Sequence, residues 1–152
     1  SDEKISSSKV RQFLKNGEIE KANECLIEKF SITGKVVLGD QRGRTIGIPT
    51  ANLEFPINII KIPYGVYAVQ IKLFDNIHFG IVNFGMRPTF NKETSIVEVH
   101  IFDFEEDIYS KEIEVLFLSK IRDEQKFNGI KELLNQITLD ITVAKKILKY
   151  GN

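Results

Sequence analysis

Cys25 is the one cysteine among 152 residues, so no disulfide can form within the chain. The two histidines, His78 and His100, stand far apart and do not make a metal-ligand cluster. The 21 basic and 21 acidic side chains cancel, which leaves no broad field to draw in DNA, RNA or an anionic membrane. No apolar run approaches the roughly 20 residues that span a bilayer, and the opening Ser1-Asp2-Glu3-Lys4 lacks the apolar core of a signal peptide. These absences argue against nucleic-acid and membrane partners and make the cytoplasm the expected compartment. The missing initiator Met suggests a cut or processed chain.

What is present suits one compact domain with a short appendage, since folding at this length buries about 68–70% of the unfolded chain's surface. Ser6, Ser7 and Ser8 precede Val10, Phe13 and Leu14 at helical spacing, with Gly17 as a stop, which predicts a short N-capped helix. A second helix is expected over 19–29. From Ser31 the texture changes to short runs rich in Val, Ile, Phe and Tyr, divided by Gly, Pro, Asn and Asp. Runs at 32–38, 50–55, 65–74, 77–84, 96–104 and 112–121 read as strands, with Asp75-Asn76 as a tight hairpin. Six strands without intervening helices imply an antiparallel sheet. Closing that sheet into a barrel removes exposed edges, fills the interior with side chains and puts binding at the mouth or rim. Finally, Ile130, Leu133, Leu134, Ile137, Ile141, Ala144, Ile147 and Leu148 recur at three and four, the stripe of one long amphipathic helix. That stripe either packs on the barrel or serves as a partner-binding face. The expected fold is therefore mainly β: a six-stranded antiparallel, Greek-key-like β-barrel with a long C-terminal helix and a short helical N-terminal appendage. No internal repeat or low-complexity tract is present.

Gly39-Asp40-Gln41-Arg42-Gly43-Arg44-Thr45 is superficially like a phosphate loop, but it is one residue short of the Walker spacing and carries Arg where Lys is expected. A Walker loop opens a helix, whereas Pro49 pushes Ile48 toward extended geometry, so this loop leads into a strand. If Thr50 and Asn52 lie in that strand, they share one face and present a hydroxyl beside an amide carbonyl. Both are hard oxygen donors, and magnesium bound with a nucleotide takes only one or two protein oxygens. The glycines let backbone amides approach phosphates, and Arg42 or Arg44 would neutralise charge that develops during transfer. Spacing alone equally describes a flexible hairpin loop ended by a proline.

Residues 39–52, written Gly-x-x-x-Gly-Arg-x-x-Gly-Ile-Pro-Thr-Ala-Asn, are similar to the signature of riboflavin kinases, in which the Thr and Asn bind the magnesium of ATP. The similarity continues in the correct order through Gly65-Val66-Tyr67, 83–90 (Asn-Phe-Gly-Met-Arg-Pro-Thr-Phe), 98–104 (Glu-Val-His-Ile-Phe-Asp-Phe), Tyr109 and 121–127 (Ile-Arg-Asp-Glu-Gln-Lys-Phe). The resemblance implies a riboflavin kinase barrel and direct in-line transfer of the γ-phosphate of ATP to the 5′-hydroxyl of riboflavin, giving FMN and ADP. It implies Mg2+ as cofactor, ATP as co-substrate, and Thr50 and Asn52 as metal ligands. Gly39, Arg44, Ile101, Asp103 and Tyr109 would stand on the ATP side, and Arg122, Gln125 and Phe127 on the flavin side. For Arg122 and Phe127 the plain alternative is that they anchor the helix.

Glu98 interrupts the apolar run 96–104 and, in an extended strand, shares a face with His100 and Phe102, while Val97, Val99 and Ile101 face the other way. Unaided, that reads as a solvent-facing carboxylate. The resemblance makes Glu98 the base that takes the proton from the ribityl 5′-hydroxyl. His100 matches the family pattern too but receives no chemical role. One departure is Ser110, which follows Tyr109 where the family commonly has Gly; a compact glycine loop is the other.

Residues 5–11, followed by Gly17 and Ala22, resemble the end of the adenylyltransferase module that precedes this kinase in bifunctional bacterial riboflavin kinase/FAD synthetases. The His-x-Gly-His motif of that module is absent. The expected division is a helical remnant at 1–30 and a riboflavin kinase domain at 31–152, with FAD synthesis not expected from the fragment and an N-terminal FMN adenylyltransferase domain expected in the full-length protein. Two rivals remain: a non-catalytic flavin-binding module, and a small nucleic-acid-binding barrel that the charge balance disfavours.

Overall fold

The computed structural model describes residues 2–26, 29–37, 48–54, 62–88 and 93–151. Their elements run α1 (Asp2–Lys15), α2 (Ile19–Cys25), β1 (Ser31–Val37), β2 (Ala51–Glu54), β3 (Gly65–Leu73), β4 (Asn76–Pro88), β5 (Glu93–Ile101), β6 (Glu112–Asp123) and α3 (Ile130–Leu148). The six strands close, every neighbouring pair antiparallel, in the order β1-β2-β5-β4-β3-β6. Three strands meander from β3 to β5, and β6 returns beside β3, which is the Greek-key order. The expected barrel is present.

Alternation along each strand decides what fills it. Tyr67, Val69, Ile71 and Leu73 of β3 join Val82, Phe84, Val97, Val99, Val115 and Phe117 in the interior core. The other face of β3, Val66 and Ala68, is buried with Ile81 and Phe102 under Ile137, Ile141 and Ala144 of α3. Burial on both faces is why β3 reads as a nearly continuous apolar run. The stripe of α3 therefore packs on the barrel, as one reading of its periodicity expected. Two of its members do not: Ile130 and Ile147 are exposed, with Leu139 and Val143 beside Ile147 on the solvent side.

At the other end of the chain, α1 stops where expected. Gly17 takes φ 78°, its N–H donates to the Leu14 carbonyl and the Glu18 N–H donates to the Phe13 carbonyl, the paired bonds that close a helix C-terminus. Val10 and Leu14 of α1 and Ile19 and Ala22 of α2 are buried in the same core as the barrel interior. Asn23 fixes this contact by donating from Nδ2 to the Phe117 carbonyl at 2.9 Å and accepting the Phe30 N–H at 2.8 Å.

Several boundaries differ from the sequence reading. The helix α1 begins ahead of Ser6, Ser7 and Ser8, so the serines lie inside it and do not cap it. The helix α2 ends at Cys25, because Leu26 is extended. Leu73 pairs with Asn76, which moves the tight turn to Phe74-Asp75, with Phe74 at φ 56°. The strand β5 ends at Ile101 before Asp103, whose φ of 52° leaves the sheet, while β4 continues to Pro88 and β6 to Asp123.

Candidate active site

A cleft of about 570 Å³ lies against the outer wall of the barrel, between β3, β4 and β5 and the start of α3. That volume is in the range of small-molecule sites. The mouth or rim was the expected location, but α3 covers only part of the outer sheet, and the cleft opens where helix and sheet part.

Register builds its floor. Asn52 of β2 pairs with Glu98 of β5, Glu98 with Asn83 of β4, Asn83 with Val66 of β3, and Val66 with Arg122 of β6. Directly opposed residues share a face, so these five side chains form one row across five strands on the outer face. Glu98, Asn83, Val66 and Arg122 all line the cleft. Asn52, half-buried, stands one strand beyond Glu98 and outside the lining.

Thr50 precedes β2 and is not held by its ladder. Its Oγ1 donates to Glu98 Oε2 at 3.5 Å, the outer limit of a hydrogen bond. The restraint on this segment is His100, whose Nδ1 donates to the Pro49 carbonyl at 2.8 Å. Because a carbonyl only accepts, Nδ1 carries the proton and the neutral ring presents Nε2 as an acceptor. Burial pushes the His100 pKa below its usual value, against the opposing pull of that hydrogen bond, so the ring is neutral near pH 7.

The other end of the row is an ion pair. Arg122 Nε donates to both carboxylate oxygens of Asp140 at 3.0 Å, and Nη2 lies 2.9 Å from Oδ2. Gln136 Nε2 adds a bond to Asp140 Oδ1 at 3.0 Å, and Asp140 is 1% exposed. The Arg122 guanidinium lies over the Phe127 ring, 5.6 Å from its centroid, and Nη1 donates to the Asp123 carbonyl. The Glu124 carboxylate, on the connection from β6 to α3, lies over Gly85 of β4, where a Cβ would come within 2.3 Å of Oε1 and the flexible side chain would have to turn aside.

The cleft thus brings together Thr50, Glu98, Arg122, Gln125 and Phe127 of the residues expected at a site. Ile101, Asp103 and Tyr109 are not part of it. Ile101 faces the barrel core at 6% exposure, Asp103 accepts a bond from the Tyr150 hydroxyl at 2.8 Å, and Tyr109 is exposed. Gly39 and Arg44 lie outside the described residues. Asn83 and Asp140 line the cleft without having been singled out in the sequence. Asp140 had a visible signal, a carboxylate three residues after Ile137 on the apolar face of a helix; Asn83 opens the family-like segment 83–90, but its place beside Glu98 follows only from the strand pairing.

The family model described as Flavokinase: Riboflavin kinase matches residues 26–148. Similar curated proteins include the bifunctional riboflavin kinase/FMN adenylyltransferases of Bacillus subtilis, 45% identical over 91% of this chain, and of Haemophilus influenzae, 42% identical over 94%. The chain spans 45% and 46% of those two proteins, about half the length of each. Among solved structures, a crystal structure described as a macrolide-efflux protein from Streptococcus pneumoniae superposes with a TM-score of 0.83 at 36% identity, covering 91% of this chain and 46% of that one. A riboflavin kinase from Trypanosoma brucei superposes at 0.57 with 19% identity, covering 80% of each chain, a likeness of fold. Among the described residues no helix is long and apolar enough to cross a membrane.

Proposed function

This chain belongs to the riboflavin kinase family, and we propose that it transfers the γ-phosphate of ATP to the 5′-hydroxyl of riboflavin, giving FMN and ADP. One observation carries the proposal. A carboxylate, Glu98, stands beside two oxygen donors, Thr50 and Asn52, at one end of a cleft that carries Val66, Ile81 and Ile96 along its wall and ends in a guanidinium over an aromatic ring. Phosphoryl chemistry fits the first half and a flat, largely apolar ring the second.

Glu98 takes the 5′-hydroxyl proton as that oxygen attacks the γ-phosphorus. The new O–P bond forms as the bond to the β-phosphate oxygen breaks, and ADP leaves with the electron pair. Thr50 and Asn52 suit a hard cation such as Mg2+, being uncharged oxygen donors that supply the one or two protein ligands such an ion takes beside phosphates and water. With so few protein ligands, the ion would arrive with its nucleotide, whose phosphate oxygens complete the coordination. Bound there, it would neutralise charge on the phosphates. The Thr50 hydroxyl can offer a lone pair to an ion while its proton remains directed at Glu98. Arg122, Gln125 and Phe127 hold the ring; Gly39, Arg44, Asp103 and Tyr109 belong to the nucleotide side in this proposal, while the Ile101 side chain, turned into the barrel core, does not.

The segment 1–30 is, in the same reading, the tail of an FMN adenylyltransferase domain of a longer protein, and 31–152 the kinase. Because α1 and α2 bury apolar side chains in the barrel's core, the tail also stabilises the kinase. Incubation with riboflavin, ATP and Mg2+ should yield FMN and one ADP per FMN, and chelation of the metal should stop it. A folded sample that binds flavin equally with and without ATP and metal, and makes no FMN with Mg2+, Mn2+ or Zn2+, would establish a flavin-binding module instead.

A further inference from the structure

Resting on the riboflavin kinase reading, we infer that Asn83 reads the hydroxyls of the acceptor's polyol chain, and that the row from Glu98 to Arg122 measures the chain's length. The row is a scale with fixed divisions. Neighbouring strands lie about 4.8 Å apart, so Glu98 on β5 and Arg122 on β6 are separated by three spacings, about 14 Å. A reacting hydroxyl at Glu98 and a flat ring at Arg122 and Phe127 must span that length. An extended chain of five carbons covers roughly 7 Å from ring nitrogen to terminal oxygen, with single bonds of about 1.5 Å. The ring therefore begins over Val66 and runs on toward Arg122.

Asn83 sits one division from Glu98 and one from Val66, beneath the middle of such a chain. Its side chain is exposed and lines the cleft. Beside it the wall is apolar, with Val66, Ile81 and Ile96. An amide offers a carbonyl acceptor and an NH2 donor, which matches secondary hydroxyls that can both donate and accept. Val66 at the next position offers neither, which suits a ring face. The order along the row, carboxylate, amide, isopropyl, guanidinium, thus follows the order reacting hydroxyl, polyol, ring, ring edge. This makes Asn83 a specificity residue for the acceptor, separate from proton removal at Glu98.

The test pairs a side-chain deletion with a substrate deletion. Wild type and Asn83→Ala are compared on riboflavin and on an isoalloxazine bearing a 5-hydroxypentyl chain, which keeps the reacting hydroxyl and lacks the others. With wild type, kcat/KM should fall about tenfold or more on the deoxy chain, the loss of one or two hydrogen bonds. Asn83→Ala should lose a similar factor on riboflavin and show little further loss on the deoxy chain, while the KM for ATP stays constant. Asn83→Ser, which keeps a short hydroxyl, should recover part of the discrimination. Dissociation constants from flavin fluorescence quenching without ATP should show the same coupling. Independent, multiplicative losses from the two deletions would overturn the assignment, as would wild-type indifference to the chain hydroxyls. If wild type makes no FMN yet the binding coupling persists, the kinase reading fails and the polyol subsite stands. A wild type that binds no flavin overturns both.

Discussion

Replacing Asp140 with Asn tests whether the end of the cleft is held by an ion pair or merely by packing. Asp140 is 1% exposed and the Arg122 side chain 17%, so water screens the pair poorly. Removing one partner of a buried pair typically costs 3–5 kcal/mol, because the other charge is left without compensation. Here the loss is smaller. Arg122 keeps its bond to the Asp123 carbonyl and its place over Phe127, and an Asn would still offer one acceptor. Against that, the new NH2 group faces donors on Arg122 and Gln136. The expected cost is about 2 kcal/mol for Asp140→Asn and about 3–4 kcal/mol for Asp140→Leu. In urea, the Asn variant should unfold about 1 M earlier with an unchanged m-value. Pairing Asp140→Leu with Arg122→Met should restore most of the loss, since two apolar groups leave no orphaned charge. A loss below about 0.5 kcal/mol, the level of an exposed pair, would refute the reasoning. So would a double variant no more stable than Asp140→Leu alone. In turnover, Asp140→Asn should raise the KM for riboflavin and leave that for ATP unchanged.

Glu98→Gln should lower kcat by about 10²–10⁴ while nucleotide binding, followed by calorimetry, survives; near-normal turnover would remove Glu98 as the base. Ser110 sits at φ 70°, where an L-residue costs about 1–2 kcal/mol. Ser110→Gly relieves that strain but gives back roughly 0.5–1 kcal/mol of backbone entropy, so a net gain of about 0.5 kcal/mol is expected in urea, and a loss would contradict the assigned conformation. His100 has its pKa depressed by burial, so below its ordinary value of 6.5 the unfolded chain takes up the proton more readily than the folded one. Its share of stability is present above that value and is lost as pH falls toward the folded pKa. The urea midpoint should therefore drop between pH 7 and pH 5.5, and His100→Asn, which keeps a donor for Pro49, should flatten the drop; equal slopes would rule out this origin.

The fold was legible because each strand announces itself twice, by β-branched and aromatic runs and by the turn residues between them. The closing helix was equally plain from Ile137, Ile141 and Ala144. What escaped were features set by pairing partners. Glu98 and Asn52 could each be assigned a face from period-two alternation, but that they oppose one another, with Asn83 next in line, follows from register between strands far apart in sequence. A slip of one residue would send every one of these side chains to the other face. Thr50 and Asn52 were expected to share a strand face; Thr50 lies ahead of the strand and reaches Glu98 because His100, two residues along β5, takes the Pro49 carbonyl.

The helix α3 carries the same lesson into the chemistry. Its periodicity marks which positions meet the barrel but not what each meets. Ile137, Ile141 and Ala144 meet Val66, Ala68 and Ile81 and hold the helix down. Gln136 and Asp140, four apart on the same side, meet a guanidinium from β6 and fix the far end of the cleft. Packing and site are therefore one surface: the isopropyl of Val66 belongs both to the core beneath α3 and to the cleft floor. A shift of α3 along the sheet would move Arg122 relative to Glu98 and alter the length that the cleft accepts. Stability of the helix contact and selectivity for the acceptor are thus coupled through Asp140, and substitutions there should change both together.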